Sequence, residues 1–297
     1  MVLSKFLDPK NDVAFRKIFG SEEHKDILIH FINDILELKD NDQIEDVDFL
    51  STIQDPEIAF KKQSIVDVLC RDKNGVQIIV EMQVAPTQGF EKRAQYYAAK
   101  AYSRQLNKGK KKDGKYENLK EVIFIAIADY VVFPDKKEFK SDHVILDKLT
   151  HAHDLQDFSF TFIELPKFKK EEEALETHFD KWMYVFTHLA LLQNRPKKLQ
   201  DRVFKRLLEA AEIAKFTPKE KEAYEESLKH YRDIQNVVDT SKEEGRLEGR
   251  LEGRLEGRLE GKVAQKVEIA KMMKTNGESI EKIIKYTNLS KKEIEAL

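Results

Sequence analysis

The chain has 297 residues, of which 41% are hydrophobic and 36% are charged, and its formal net charge is -2. A chain of this length can bury one sizeable core and still carry appended elements. The sequence has no apolar run of about 18 residues, the length of a membrane span. It also has no apolar stretch after a basic start that would mark a secretory signal. We therefore expect a cytoplasmic protein without a membrane partner.

A basic segment is hidden in this near-neutral average. Residues 61–120 include 14 Lys and Arg against 6 Asp and Glu, a balance of +8, so the remainder of the chain is acidic. Carboxylates embedded in basic surroundings suit a site that holds phosphate and a cation, although a solvated surface gives the same count. The one cysteine, Cys70, excludes intramolecular disulfides and cysteine-cluster zinc sites.

The spacing of apolar residues predicts, in chain order, two helices, a hairpin, a third helix and two further strands. The predicted helices cover 13–19, 24–38 and 88–106, and the predicted strands cover 64–71, 76–84, 122–128 and 158–165. The run 122–128 is apolar on both faces, which indicates a central strand. This order predicts an α/β core with helices on both faces of its sheet.

Strand signals disappear after about residue 171, and helices are predicted over 182–192 and 199–213. We expect four segments: a core over 1–170, a helical extension over 171–240, a Gly-Arg-Leu-Glu repeat over 241–262 and a small tail over 263–297. The tail predicts two short helices around a turn at 287–289, the second opened by a capping box at Ser290 and Glu293. Helix-turn-helix motifs share this pattern with many helical hairpins that do not bind DNA.

The repeat has a period of four residues, so on a helix each column of like residues advances about 40° per repeat. Leu247, Leu251, Leu255 and Leu259 would form a slowly winding stripe. Like charges stack at i,i+4, and each glycine costs about 1 kcal/mol against alanine, so the segment should be a poor helix alone. Two interpretations stay open: a helix that self-associates into a homo-oligomer, or a flexible charged linker.

Two acids, Asp67 and Glu81, lie on the two strands of the predicted hairpin, and the turn decides whether they meet. A two-residue loop would leave them on opposite faces, whereas a three-residue loop over 73–75, with Gly75 left-handed, places Asp67 opposite Glu81. Asp72 favours the second loop, because type I turns prefer Asp in first position. Cross-strand Cβ atoms lie about 4.5–5.5 Å apart, close enough for both carboxylates to hold one divalent cation.

Asp67, Glu81-x-Gln83 after the hairpin, the motif Asp-Val-Ala-Phe-Arg-Lys-Ile-Phe at 12–19 and Phe90-x-x-Arg93-x-x-x-Tyr97 together resemble a known family. It is the Rpn family of recombination-promoting nucleases and transposase-like proteins, within the PD-(D/E)XK nuclease superfamily. The resemblance covers roughly residues 6–168, and the repeat with its helical tail is similar to endings seen in the family.

The resemblance implies a restriction-endonuclease-like mixed sheet flanked by helices, followed by an all-helical C-terminal region. It implies that Asp67 and Glu81 bind Mg²⁺, or Mn²⁺ or Ca²⁺ in its place, and position a water for attack on a DNA phosphodiester. Gln83 would take the place usually held by lysine. A lysine supplies positive charge, whereas a neutral amide can orient water or phosphate but supplies no charge.

Supporting roles are less defined by the sequence. Asp12 is either a further metal ligand or an acid favoured by the dipole of the first helix. Arg93 and Tyr97, one helical turn apart, either face the nucleic acid or pack against the core. The loop lysines either contact the DNA backbone or are solvated; they are Lys110, Lys111 and Lys112.

Two functions remain open on these observations. The first is a Mg²⁺-dependent DNA endonuclease, acting in recombination, mobile-element biology or phage defence by family analogy. The second is a catalytically weak or inactive nuclease-fold module that binds DNA or a protein partner, which the absence of the lysine favours.

Overall fold

The computed structural model describes residues 5–54, 64–106 and 115–297. The chain forms two compact units, Met1–Gln235 and Asn236–Leu297. Crossing a bilayer would require a longer apolar helix than any found in the described ranges.

Helices and strands are mixed as far as residue 164, and every regular element after it is helical. The helices are α1 (Asp12–Phe19), α2 (Lys25–Ile35), α3 (Phe90–Arg104), α4 (His178–His188), α5 (Arg202–Ala210), α6 (Pro218–Thr275), α7 (Ile280–Thr287) and α8 (Lys291–Glu295). The strands are β1 (Val47–Phe49), β2 (Ile53–Gln54), β3 (Ser64–Ile65), β4 (Val68–Asp72), β5 (Gln77–Gln83), β6 (Val122–Ala128), β7 (Lys140–Ile145) and β8 (Leu155–Glu164).

Six strands form a mixed sheet in the order β1-β4-β5-β6-β8-β7, and β2 pairs with β3 in a separate small hairpin. Strand β6 runs parallel to both β5 and β8, while the pairs at either side of these three are antiparallel. The predicted α/β fold with a mixed sheet and an all-helical C-terminal region is confirmed. The central position predicted for 122–128 is confirmed as well.

The structure differs from the sequence prediction at the edges of the sheet. Strands β1 and β7, which were not predicted, are the two outermost strands. Residues along β7 are only half-buried or exposed, so the strand lacks the apolar signal of a central one. The single strand predicted over 64–71 is divided into β3 and β4, and Asp67 lies in the break between them.

The turn between β4 and β5 has the predicted three-residue loop. Gly75 has a φ of 89°, in the left-handed region that glycine adopts most readily. Its N–H donates to the carbonyl of Asp72 at 3.1 Å, and the N–H of Asp72 donates to the carbonyl of Val76 at 3.0 Å. The β4–β5 register continues from this closing pair, so its next step beyond the ladder brings Asp67 opposite Glu81. The register argument is therefore confirmed.

The sheet separates two cores, because side chains alternate along each strand. Ile78 and Val80 of β5 face the core that also contains aromatic side chains of α1, α2 and α4. Ile79 faces the other core, where Ala94 and Ala98 let α3 approach the sheet closely. Glu81 follows Ile79 by two residues and therefore lies on the α3 face.

Helix α6 runs from Pro218 to Thr275 and includes the whole repeat. The four repeat leucines are 53–63% exposed. A Cβ built on any glycine of the repeat, from Gly245 to Gly261, would meet no atom within 4 Å. The unit Asn236–Leu297 therefore offers a long helical surface with an exposed leucine stripe.

The tail has the two short helices that its sequence predicts. Asn288 ends α7 in a left-handed conformation with a φ of 54°, and Ser290 and Glu293 form the capping box at the start of α8. A small core joins α7 and α8 to the end of α6; its buried members are Ala270, Ile283, Leu289 and Ile294.

Candidate active site

Two carboxylates meet beside the start of β4 and the end of β5. The backbone N–H of Asp67 donates to Oε2 of Glu81 at 3.1 Å, and the N–H of Met82 donates to Oδ2 of Asp67 at 2.9 Å. Asp67 lies just before the ladder of β4, so its amide can bond a side chain instead of a strand carbonyl. Each acid is thereby fixed by the backbone of the opposite strand.

Burial and mutual repulsion control the charge of this pair. Glu81 is only 5% exposed. Burial, together with repulsion by Asp67, raises the pKa of Glu81 to about 8. Burial also raises the pKa of Asp67, against the opposing effects of the Met82 amide and of Arg16. Two adjacent buried carboxylates repel each other, so binding a proton or a cation between them is favourable. Raised pKa values of this kind are common at functional sites.

Gln83 lies beside Glu81 on the same face of β5, as strand alternation requires. Its Nε2 donates to Oε1 of Glu81 at 2.9 Å and to the carbonyl of Met82 at 3.0 Å. Both bonds use the amide nitrogen of Gln83. The structure thus brings together the three residues predicted to be catalytic.

Two guanidinium groups approach the acids from different helices. Nη2 of Arg16, on α1, lies 3.2 Å from Oδ1 of Asp67, and Nη2 of Arg93, on α3, lies 3.8 Å from Oε1 of Glu81. Arg16 was not among the predicted site residues. Its only sequence signal is its place four residues after Asp12 in the motif 12–19.

Tyr97 shares this neighbourhood with Arg93, one helical turn further along α3. The Arg93 guanidinium lies 5.8 Å from the centre of the Tyr97 ring. Burial raises the pKa of Tyr97, Arg93 opposes that rise, and the charges of Glu81 and Asp67 add to it. Tyr97 is therefore within electrostatic reach of both acids.

Asp12 lies at the first residue of α1, near the pair but turned to other partners. Its Oδ1 accepts hydrogen bonds from the Val13 amide and from the Ser227 hydroxyl of α6. Burial is the main cause of the raised pKa of Asp67, and the charge of Asp12 adds to it. Within the described ranges, no three acidic, histidine or cysteine side chains converge to hold a metal. A ligand role for Asp12 stays a prediction.

The predicted DNA-contacting lysines Lys110, Lys111 and Lys112 lie outside the described residues.

The end of β5 is fixed by contacts with residues distant in sequence. The N–H of Asp129 donates to the carbonyl of Gln83 at 2.8 Å, and Nζ of Lys10 donates to Oδ2 of Asp129 at 2.9 Å. Nε2 of Gln235, on α6, donates to the carbonyl of Val84 at 3.0 Å. Residues distant in sequence thus hold the strand that carries Glu81 and Gln83.

The chemistry of these side chains fits a hard divalent cation. Mg²⁺ and Ca²⁺ prefer oxygen ligands, and one or two carboxylates with waters are a common arrangement for Mg²⁺. Asp67 and Glu81 supply two buried carboxylates, and Gln83 adds an amide oxygen. Burial is the main cause of the raised pKa of Glu81, and a cation would offset the second cause, the repulsion by Asp67.

The sequence model of the family described as PD-(D/E)XK nuclease family transposase matches residues 9–241 of the chain. The match spans the whole six-stranded sheet and all of the side chains of the candidate site. PD-(D/E)XK nucleases generally use divalent metal ions. No curated protein and no solved structure matches the chain.

Proposed function

The chain belongs to the PD-(D/E)XK nuclease family transposases, and from this membership we propose that it is a Mg²⁺-dependent DNA endonuclease. The observation that supports the proposal most directly is the contact between Asp67 and Glu81. Their carboxylates lie side by side at the end of β5, each hydrogen-bonded to the backbone of the other strand.

Asp67 and Glu81 would hold the cation through their carboxylate oxygens. When bound by these carboxylates, a divalent cation would supply Lewis acidity, lowering the pKa of water and offsetting negative charge on a phosphate. The protein contributes position: the backbone bonds fix both carboxylates before any ligand arrives, which limits the reorganisation that catalysis requires. Gln83 orients a water or phosphate oxygen through its amide.

Positive charge, which Gln83 cannot supply, comes from neighbouring helices in this proposal. Arg93 lies within 3.8 Å of Glu81, and its partner on α3, Tyr97, lies beside it. Both face the side of the sheet that carries the acids, so we assign them to contact with DNA. Lys110, Lys111 and Lys112 are proposed to contact the backbone on the strength of their charge alone.

The experiment is cleavage of supercoiled plasmid with Mg²⁺, since nicked or linear product shows internal cutting. Wild-type protein should cut, and Asp67→Ala and Glu81→Ala should not, while circular dichroism shows that both variants are folded. Asp48→Ala is the matched control, because Asp48 is an exposed acid of the same sheet paired with Arg71. Cleavage that persists in both site variants, or that continues in EDTA, would refute the assignment.

A non-catalytic nuclease-fold module is the second candidate, and one observation favours it. Protein donors already contact all four oxygens of the pair: Arg16 and the Met82 amide bond Asp67, while the Asp67 amide and Gln83 bond Glu81. Such a site can be stable without a cation. Calorimetric titration with Mg²⁺ or Mn²⁺ separates the candidates: binding that Glu81→Ala abolishes favours the enzyme, and absence of binding favours the module.

Self-association through the repeat is part of the proposal. Burying the four exposed leucines of the stripe against a second copy of the helix would lower the free energy, because apolar surface is removed from water. In the full-length protein, Leu251→Ser with Leu255→Ser should lower the protomer count measured by light scattering. Leu149→Ser is the control, since Leu149 is exposed in the connection between β7 and β8. An unchanged protomer count in the repeat variant contradicts this role.

A further inference from the structure

Buried polar atoms without a hydrogen-bond partner occur on two residues that pack against Phe90, and one of these residues, Arg93, adjoins the acid pair. Among the described residues, four buried side-chain nitrogen and oxygen atoms have no hydrogen-bond partner, and three of them belong to Arg93 and Tyr130. They are Nε and Nη2 of Arg93 and the hydroxyl of Tyr130. The fourth, Nε of Arg206, lies 2.7 Å from a carboxylate oxygen of Asp26. Buried polar groups are seldom left unpaired, so this cluster points to a ligand.

The Arg93 guanidinium packs against two aromatic rings of α3, while its Nε and Nη2 atoms have no hydrogen-bond partner among the described residues. It lies 5.1 Å from the centre of the Phe90 ring and 5.8 Å from that of Tyr97, distances typical of cation–π contact. Nη2 stands 3.8 Å from Oε1 of Glu81, too far for a hydrogen bond. Oε1 accepts its bond from Gln83 instead.

Tyr130 follows β6 by two residues and is 9% exposed. Its ring packs edge-on against Phe90, with the ring centres 6.4 Å apart. Burial raises the pKa of Tyr130, while the nearby charge of Arg93 and the adjacent Thr87 backbone oppose that rise. The Thr87 backbone N–H can only donate to the hydroxyl oxygen, so the O–H proton of Tyr130 is the part of the group that is left to serve a ligand. The phenol is therefore protonated at neutral pH and close to the guanidinium, with Phe90 packed against both.

We propose that Arg93 and Tyr130 form a binding subsite for a backbone phosphate of DNA next to the Asp67–Glu81 pair. Nε–H and Nη2–H share one edge of a guanidinium and match two oxygens of a phosphate. The Tyr130 hydroxyl adds a third donor. A ligand that satisfies three donors must offer several acceptor oxygens and negative charge, as a phosphodiester does.

The subsite rests on the proposed function for the identity of its ligand, and it adds Tyr130, which no sequence motif marked. It also explains how a site with Gln83 in place of lysine can attract phosphate. Arg93 of α3 supplies the positive charge, and the Phe90 and Tyr97 rings fix the orientation of its guanidinium.

The test is binding of a fluorescein-labelled DNA duplex in EDTA at pH 7, followed by anisotropy over a range of salt concentrations. Arg93→Ala should weaken binding roughly tenfold or more and reduce the slope of log K against log salt by about 0.9, the loss of one phosphate contact. Arg93→Lys should keep the slope but bind more weakly, because an ammonium lacks the two-pronged edge.

Tyr130→Phe should weaken binding by roughly tenfold, the effect of losing a hydrogen bond to a charged group, without changing the slope. In an Arg93→Ala background, Tyr130→Phe should weaken DNA binding less than Tyr130→Phe does in the wild-type protein, since both side chains bind one phosphate. The controls are Lys73→Met, which removes an exposed charge in the turn before β5, and Tyr116→Phe, at a ring that is 80% exposed. Both should bind as wild type does.

The subsite is overturned if the Arg93 and Tyr130 variants bind with wild-type affinity and slope, or if the wild-type protein does not bind DNA. Plasmid cleavage is scored separately. Cleavage that needs Asp67 and Glu81, with no effect of Arg93 or Tyr130 on binding, removes the subsite and leaves the nuclease. The expected binding pattern without cleavage removes the nuclease and leaves the subsite.

Discussion

Glu81→Gln should stabilise the metal-free protein, and the gain should grow as the pH rises. Burial, with repulsion by Asp67, raises the pKa of Glu81 from an ordinary value of 4.5 to about 8 in the folded state. The folded protein therefore binds a proton at Glu81 more tightly than the unfolded chain does. That contribution to stability is complete below pH 4.5 and is lost as the pH rises through 8.

The magnitude follows from the same pKa. Each pH unit between 4.5 and 8 costs the wild-type protein about 1.4 kcal/mol, which over 3.5 units amounts to about 5 kcal/mol. Glutamine is uncharged throughout, nearly the same size, and keeps an oxygen that can accept from the Asp67 amide. The difference in unfolding free energy between Glu81→Gln and wild type should therefore increase up to about pH 8 and then stay constant.

Urea unfolding in EDTA, measured at several pH values, tests this. Trp182 is the single tryptophan and is fully buried, so its fluorescence reports on the core of Met1–Gln235. Glu164→Gln is the matched control: Glu164 is 1% exposed but is paired with Lys167 at 2.7 Å, so losing its charge should destabilise. A difference between Glu81→Gln and wild type that does not depend on pH would refute the reasoning.

Three further predictions concern the hairpin. Gly75→Ala should lower the unfolding free energy by about 1–2 kcal/mol, because alanine is disfavoured at a φ of 89°. Gly75→Asn should lower the unfolding free energy by less in the same urea assay, since asparagine tolerates that conformation better. Cys70 is buried and its pKa is raised to about 12 by burial, so a thiol reagent at pH 8 should label it only in urea; rapid labelling of native protein would contradict its burial. Gln83→Lys should place an ammonium beside Glu81 and lower the pKa of that acid. In a plot of cleavage rate against pH, the rise in rate at acidic pH should then move to lower pH. A rise that does not move would show that ionisation of Glu81 does not control the reaction.

The acid pair was predictable from sequence because its geometry depends on a local event. One turn, closed by Gly75 with Asp72 before it, sets the register of β4 and β5, and the register determines whether Asp67 meets Glu81. Turn chemistry of this kind is written into four consecutive residues. The central strand β6 was equally accessible, since a strand buried on both faces is apolar at nearly every position.

Other features depend on contacts that no local pattern contains. Strands β1 and β7 are held by their neighbours at the sheet edges, so their own sequences carry little signal. The repeat is helical although glycine in every fourth position opposes helix formation. Intrinsic propensity could not reveal this, because propensity is a weak guide beside the context of a long continuous helix.

The side chains around the acids show the same division between local and long-range information. Sequence left Asp12 open between a metal ligand and a helix-dipole acid, and the partner that its carboxylate contacts, Ser227, is 215 residues away. Arg16 reaches Asp67 across 51 residues and Tyr130 reaches the surroundings of Arg93 from the far end of β6. A motif can therefore identify the acids that define this chemistry. The groups that set their charge and bind their substrate are positioned by packing among α1, α3 and β6, which is why they become visible only in the folded chain.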